Sequence, residues 1–157
     1  MDAPRILAVA SAADLAEAAG LFRAYAAALE VDLAYQDFDA ELAGLPGRYA
    51  PPAGALLLAR DDGRAVGCVA LRPLAADVCE IKRLYLAPET RGLGLGRELV
   101  AAVLAEARRI GYREARLDTL PMMAAAMALY RRAGFVEIAA YYATPVAGTR
   151  FFACALG

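Results

Sequence analysis

The chain has 157 residues, a formal net charge of −1, 61% hydrophobic residues and no histidine. Its near-neutral charge, carried by scattered arginines, argues against binding to nucleic acid or to an anionic membrane surface. The absence of histidine excludes a catalytic triad built on that residue and argues against a zinc site, so we expect no metal.

The length favours one domain spanning residues 1–157, with a substantial core. No window approaches the ~20 consecutive apolar residues of a membrane span, and the first residues lack the pattern of a secretory signal. We therefore expect a cytoplasmic protein without a membrane partner. Cys68, Cys79 and Cys154 are odd in number and flanked by apolar residues, which predicts reduced thiols in the core.

The N-terminal part predicts a short strand and two helices, at Arg5 to Val9, Ser11 to about Glu30, and Asp39 to Ala43. Ser11 and Asp14 form a capping box at the start of the first helix. The loop that follows the second helix is rich in proline and glycine. Its residues Arg48 and Tyr49 could contact a substrate, although ordinary exposed loop positions are the simpler interpretation.

Three β-type segments follow, at Ala55 to Arg60, Ala65 to Arg72 and Val78 to Leu86. The turn from Asp61 to Arg64 is a strong hairpin signal, because Gly63 accepts a positive φ. Pro73 to Asp77 predicts a break before the third segment. The three segments should form an antiparallel meander.

The C-terminal half alternates helices and strands, predicted at Gly92 to Ile110, Arg113 to Thr119, Pro121 to about Gly134, Phe135 to Ile138 and Thr149 to Leu156. Gly111 is a C-terminal helix signal, and Pro121 suits a first helical turn. The whole order is β-α-α-β-β-β-α-β-α-β-β. This order predicts an α/β fold with a mixed sheet and helices on both faces.

The segment from Glu80 to Arg97 changes from a strand pattern to a helical pattern within Arg91-Gly92-Leu93-Gly94-Leu95-Gly96. Glycines let the backbone bend and come close to a ligand, and the first N–H groups of the following helix are free. A turn of this kind can hold a phosphate without a metal. The alternative is that the glycines only make a tight turn.

Two familiar glycine motifs do not fit this segment. A dinucleotide fingerprint would need glycine where Arg97 or Leu99 stands, and a P-loop would need a lysine after the glycines, whereas Lys82 lies upstream. The pattern that does fit is Arg-x-x-Gly-x-Gly, at Arg91, Gly94 and Gly96.

This pattern resembles the acyl-CoA-binding motif of the GNAT superfamily of N-acetyltransferases. Leu129 to Phe135 is similar to the superfamily's Leu-Tyr-x-x-x-Gly-Phe segment, and the predicted order of elements matches its mostly antiparallel fold. The resemblance implies direct transfer of acetyl from acetyl-CoA to a primary amine of a small molecule, or to a peptide or protein N-terminus. The alternative is a non-catalytic module with the same fold that binds or senses acyl-CoA.

The resemblance also implies a cofactor site. Backbone groups of Leu84 to Leu86 would pair with the pantetheine arm, and N–H groups from Gly92 to Arg97 would hold the pyrophosphate. Many superfamily members carry asparagine where this chain has Met123, so that contact is expected to be either lost or replaced by Thr119 or a backbone group. The implied cofactor residues are Leu84, Tyr85, Leu86, Arg91, Gly92, Leu93, Gly94, Leu95, Gly96, Arg97, Thr119, Met123 and Tyr130.

Two residues are implied in catalysis. Tyr130 matches the tyrosine that protonates the departing CoA sulfur, with a packed helix tyrosine as the alternative. Glu80 stands eleven residues before Arg91, where histone-acetylating members place their base; a substrate-binding role and a charge pair with Lys82 or an arginine remain open. Asp118 is a further acidic candidate, for binding a cationic substrate, although a structural or charge-pairing role is the simpler expectation.

The segment from Tyr141 to Pro145 follows the strand that usually borders the acceptor pocket in this superfamily. It could form a lid over that pocket. It could equally form a contact in a homodimer, or pack as a simple loop.

Overall fold

The structure is a computed structural model that describes residues 4–29 and 31–157. Within these ranges the strands are β1 (Arg5–Ala8), β2 (Ala55–Asp61), β3 (Arg64–Ala75), β4 (Val78–Leu86), β5 (Glu114–Thr119), β6 (Val136–Ile138) and β7 (Arg150–Ala155). The α-helices are α1 (Ala12–Ala28), α2 (Phe38–Ala43), α3 (Leu95–Ile110) and α4 (Ala124–Arg132). The predicted order of elements is confirmed. The predicted helix end at Glu30 lies outside the described residues.

The strands form one sheet in the order β1-β2-β3-β4-β5-β7-β6. Neighbouring strands are antiparallel except β4 and β5, which pair in parallel only where Val78 to Glu80 meet Glu114 to Arg116. Beyond that point the two strands have no recorded pairing. We call the space between residues 81–86 of β4 and residues 117–119 of β5 the wedge.

Helices cover both faces of the sheet. On one face, α1 and the segment containing α2 enclose a cluster that includes Phe22, Phe38 and Leu58. On the other face, α3 and α4 pack through residues such as Leu99 and Val103. Side chains of β2 alternate between the two clusters, as a strand covered on both faces requires. Among the described residues, no helix is both long and apolar enough to cross a bilayer.

A β-bulge interrupts β4 beside the wedge. Cys68 pairs with Tyr85 and Ala70 pairs with Lys82, so two residues of β4 face one residue of β3. Arg83, within the bulge, has φ of +64°, which costs free energy for a residue other than glycine. Its guanidinium makes two hydrogen bonds to Glu41, at 2.8 and 3.1 Å. The bulge therefore links β4 to α2.

Three predicted boundaries are wrong by a few residues. Strand β3 continues through Pro73 to Ala75, because a register shift there accommodates the missing proline N–H. Helix α3 starts at Leu95 rather than Gly92, since Gly92 and Gly94 have φ of +82° and +83°. Helix α4 starts at Ala124, and Pro121 lies in the turn before it.

Candidate active site

The start of α3 leaves backbone donors free. Gly94 caps the helix with a left-handed conformation, and no side chain caps it. The first hydrogen bond into the helix runs from the N–H of Glu98 to the carbonyl of Gly94, over 3.2 Å. The N–H groups of residues 95–97 consequently have no acceptor within the helix. Together with the positive end of the helix dipole, they suit an anion such as a pyrophosphate.

The glycines of the motif serve different physical purposes. A β-carbon on Gly92 or Gly94 would meet nothing within 4 Å, so their positive φ is what requires glycine. A β-carbon on Gly96 would lie 2.9 Å from a methyl group of Leu129 and 3.2 Å from one of Leu86. Gly96 is thus a packing residue that lets α3 approach both β4 and α4.

Arg91 connects the turn to the end of β4. Its Nε donates a hydrogen bond to the carbonyl oxygen of Leu86 over 3.1 Å, and its guanidinium lies 5.7 Å from the ring centre of Tyr85. Leu93 and Arg97 are exposed beside it. The turn is therefore anchored to the strand that borders the wedge.

The wedge holds a narrow slot of about 20 Å³ that the sequence-predicted residues Leu84, Thr119, Met123 and Tyr130 line together. Among the described residues, the hydroxyl of Thr119 is the one completely buried side-chain polar atom that has no hydrogen-bond partner. Such an atom costs free energy unless a ligand satisfies it. The wedge thus offers an unpaired strand edge and an unpaired hydroxyl, which fit an amide-containing arm.

Tyr130 lies on α4 at the end of this slot. Its ring packs edge-on against Phe135, with 5.6 Å between ring centres. Burial, with smaller contributions from Tyr25 and Asp118, raises the pKa of its hydroxyl well above the ordinary value. The hydroxyl therefore holds its proton at neutral pH and could act as a donor.

A larger cavity of about 610 Å³ opens on the α1 and α2 side of β4. Tyr141 and Tyr142 contribute to its wall, as do Arg48 and Tyr49 of the loop after α2. The loop beginning at Tyr141 thus borders this cavity, the position that a lid would need. Lys82 and Gln36 line both this cavity and the slot, so they mark the junction between the two spaces.

Glu80 is a charge partner within this cavity. Its side chain is 3% exposed, and one carboxylate oxygen lies 2.9 Å from a guanidinium nitrogen of Arg72. The other oxygen accepts a hydrogen bond from the Tyr141 hydroxyl over 2.6 Å. Of the roles left open by the sequence, the pairing with an arginine is the one that this geometry displays.

Lys82 and Asp118 form a second buried pair, with 3.3 Å between Nζ and Oδ1. Burial lowers the pKa of the Lys82 ammonium. Burial opposes ionisation of Asp118, but the Lys82 charge and a hydrogen bond from the Tyr142 hydroxyl outweigh it, so the Asp118 pKa lies below its ordinary value. Asp118 is accordingly ionised at neutral pH, and the charge-pairing role expected for it is the one observed.

Several site residues were not found from the sequence. In the sequence, Arg72 and Arg83 are ordinary strand residues, Gln36 lies in a segment without a clear pattern, and Glu41 lies in the short predicted helix. The bulge and the packing of α2 bring Arg83, Gln36 and Glu41 together, whereas Arg72 reaches the site through its pairing with Glu80 on the neighbouring strand. The one local signal was the placement of charged residues within otherwise apolar strands, where a charge needs a partner.

Comparison with known proteins gives a consistent family. A model of the Acetyltransferase (GNAT) family matches residues 10–135. An uncharacterized N-acetyltransferase of Schizosaccharomyces pombe is 41% identical over 135 residues, covering 85% of this chain and 83% of the relative. The family model and this relative therefore indicate the same family, and each matches most of the chain.

Solved structures share the fold. A structure from Klebsiella pneumoniae, assigned as an acyl-CoA N-acyltransferase, is 31% identical with a TM-score of 0.78, covering 98% of each chain. The Salmonella typhimurium protein yncA, assigned as an acetyltransferase and solved with its cofactor acetyl-CoA, is 22% identical with a TM-score of 0.75, covering 99% of this chain and 95% of that one. At that identity the second likeness supports the fold alone. From the family match and the relatives together, the chain belongs to the GNAT family of acetyltransferases and falls in the N-acetyltransferase class of enzymes.

Proposed function

We propose that the chain transfers an acetyl group from acetyl-CoA directly to the primary amine of a small molecule, or to a peptide or protein N-terminus. The observation that carries this proposal is the junction of two spaces at Lys82, where a slot suited to the acetyl donor meets a cavity suited to an acceptor. Direct transfer needs that geometry, because both reactants must be held together.

The residues of the wedge fit coenzyme A. Backbone groups of Leu84 to Leu86 would pair with the pantetheine amides, each such hydrogen bond contributing about 1 kcal/mol net. The unpartnered Thr119 hydroxyl would bind the same arm beside Met123. The free N–H groups at the start of α3 would hold the pyrophosphate, with Arg91 and Arg97 adding positive charge. Leu93 and Leu95 would contribute through their backbone within this turn.

Acetyl-CoA, when bound, supplies the acetyl group as a thioester that an amine can attack. Tyr130 would hold a proton at its hydroxyl for the departing sulfur, since its raised pKa keeps it protonated. An acyl-enzyme is disfavoured because Cys68, Cys79 and Cys154 are all buried, and burial raises the pKa of each thiol. The chain's own contribution is therefore to position both reactants and to supply a proton.

The acceptor cavity supports a compact amine. Of the three acids that line it, Glu80 and Glu41 are paired with arginines, and the exposed Asp37 has no recorded ion pair among the described residues. One such carboxylate suits an amine with a single positive charge better than a polycation. Its volume of about 610 Å³ lies within the range typical of small-molecule sites. Amino acids, small amines and short peptide N-termini are therefore the first acceptors to test.

The test combines binding and transfer. Saturating acetyl-CoA should raise the melting temperature by roughly 5–10 °C, and an amine panel should then show acetylation together with release of free CoA thiol. No thermal shift would remove the cofactor assignment. A shift without transfer to any amine would favour a module that only binds or senses acyl-CoA.

A further inference from the structure

A buried ammonium stands at the junction of the two spaces and has no part in the function proposed so far. Lys82 is the only lysine in the chain, and its side chain is 4% exposed. It lines both the slot beside Tyr130 and the acceptor cavity. An amine that moves from the cavity towards a thioester in the slot would therefore come close to Lys82 and Gln36, the two residues that line both spaces.

The Nζ atom of Lys82 makes only long hydrogen bonds for a buried charged group. The two recorded contacts, to Asp118 and Gln36, are both 3.3 Å long. A lysine ammonium has three donors, so one N–H has no partner among the described residues. The nitrogen is therefore able to interact with a group that enters from either space.

The acids near the junction are poor candidates for taking a proton. Glu80 accepts hydrogen bonds from Arg72 and Tyr141, and Glu41 is paired with Arg83. Asp118 is ionised, but Lys82 and Tyr142 hydrogen bond to its two carboxylate oxygens. The oxygens of each carboxylate thus already accept hydrogen bonds or pair with cations of the protein itself, which leaves them less free to accept a proton from the amine.

We propose that Lys82, in its uncharged form, is the group that takes the proton from the attacking amine, a role that rests on the proposed acetyl transfer. As the amine nitrogen bonds to the acetyl carbon, one N–H proton passes to the lone pair of Lys82 Nζ. The carbon–sulfur bond then breaks, and the sulfur receives the Tyr130 proton. The Lys82 ammonium afterwards loses its proton to solvent through the open cavity, and Tyr130 regains one from solvent.

The surroundings of Lys82 suit this exchange. Burial and the nearby guanidinium groups of Arg72 and Arg83 lower its pKa, which increases the uncharged fraction. Asp118 and Glu80 act in the opposite direction and stabilise the ammonium that forms. Tyr25 and Tyr130 also line the slot, and their raised pKa values keep them neutral. Asp118 is therefore a positioning residue that holds Lys82 between the two spaces.

The decisive variant is Lys82→Arg, which keeps a positive charge beside Asp118 but cannot become neutral at accessible pH. We expect kcat to fall at least about 100-fold, while the KM for acetyl-CoA changes less than about threefold. Lys82→Met is a second variant, and Arg109→Met is its matched control, because Arg109 is an exposed cation paired with Glu106 on α3. The control should retain wild-type activity.

A measurement on the unaltered protein accompanies the variants. Because the chain has a single lysine, labelling with ¹³Cε-lysine gives one side-chain NMR signal that needs no assignment. The midpoint of its pH titration should coincide with the rise of kcat/KM with pH, and this rise should disappear in Lys82→Arg.

Three results would overturn the role of Lys82: a Lys82→Arg enzyme with more than half of wild-type kcat, a signal that shows no titration below pH 10, or an unchanged pH profile. Absence of transfer by the wild-type protein would instead contradict the proposed function itself. Binding of acetyl-CoA by Lys82→Arg, measured by thermal shift, distinguishes loss of chemistry from loss of folding.

Discussion

Tyr130 combines a fully packed ring with a hydroxyl for which the described residues record no hydrogen bond. If it supplies the proton for the departing sulfur, Tyr130→Phe should lower kcat by about 100-fold while leaving the affinity for CoA within about threefold. Steady-state kinetics with calorimetric CoA binding would check this.

The matched control for Tyr130→Phe is Tyr112→Phe, which removes a tyrosine hydroxyl that donates to the carbonyl of Ala53, away from the slot. This variant should lose stability of about 1 kcal/mol and keep its turnover. Equal turnover of the two variants would remove Tyr130 from the reaction.

The ion pair between Glu41 and Arg83 should be a strong contributor to stability, because the Arg83 side chain is 1% exposed. Glu41→Gln leaves a buried guanidinium without a countercharge, and we expect the free energy of unfolding to fall by about 3 kcal/mol. Urea unfolding at neutral pH measures the change.

The comparison for Glu41→Gln is Glu89→Gln, whose partner Arg64 is 68% exposed. A surface pair of this kind contributes at most about 1 kcal/mol. If both variants lost a similar free energy of unfolding, the burial of Arg83 would not be the reason that it needs Glu41 as a partner.

At the scale of elements, the proposed binding of CoA depends on how α3 begins. Gly94 starts this helix and Gly111 ends it, both in left-handed conformations with free space around them. Replacing either by alanine should cost a similar 1–2 kcal/mol of stability. Only Gly94→Ala should also redirect the free N–H groups, weakening CoA binding about tenfold or more.

Isothermal titration of CoA against the Gly94→Ala and Gly111→Ala variants separates strain from ligand binding. Both substitutions impose the same type of backbone strain on the same helix. A lower CoA affinity of Gly94→Ala alone would therefore result from the changed start of the helix. If both variants bind CoA like the wild type, the pyrophosphate site lies elsewhere.

The elements that the sequence predicted correctly have local signals. The glycine-rich turn before α3, the hairpin at Gly63 and the order of strands and helices follow from turn chemistry and periodicity. The bulge at Arg83 has no such signal, because arginine rarely adopts positive φ and its partner Glu41 is 42 residues away in sequence. Features that depend on strand register and long-range pairing were accordingly missed.

The same distinction applies to the site as a whole. Tyr130 was proposed through resemblance, and Thr119 as one possible replacement for the contact missing at Met123; both line the slot. The role of Glu80 stayed open, because a sequence cannot show which arginine lies beside it. The junction at Lys82 depends on the divergence of β4 and β5 after three paired residues, a property of the whole sheet rather than of any segment.

At the scale of the whole molecule, burial of ionisable groups makes stability depend on pH. Cys68 is fully buried, and burial raises its pKa to about 12 from 9.0. Below pH 9 the thiol is protonated in both the folded and the unfolded state, so it has no effect there. Between pH 9 and 12 the unfolded chain loses this proton and the folded protein keeps it, which favours unfolding as the pH rises.

This thiol should lower the free energy of unfolding by about 1.4 kcal/mol for each pH unit above 9. Cys68→Ala removes the titrating thiol. The stability that it loses through poorer packing does not depend on pH. Lys82 and the tyrosines contribute equally to the pH dependence of both proteins. Urea unfolding at pH 7, 9 and 10.5 should therefore show the variant less stable at pH 7 but approaching the wild type by about 2 kcal/mol at pH 10.5. Parallel stability curves would mean that Cys68 reaches solvent, and ionises, in the folded protein.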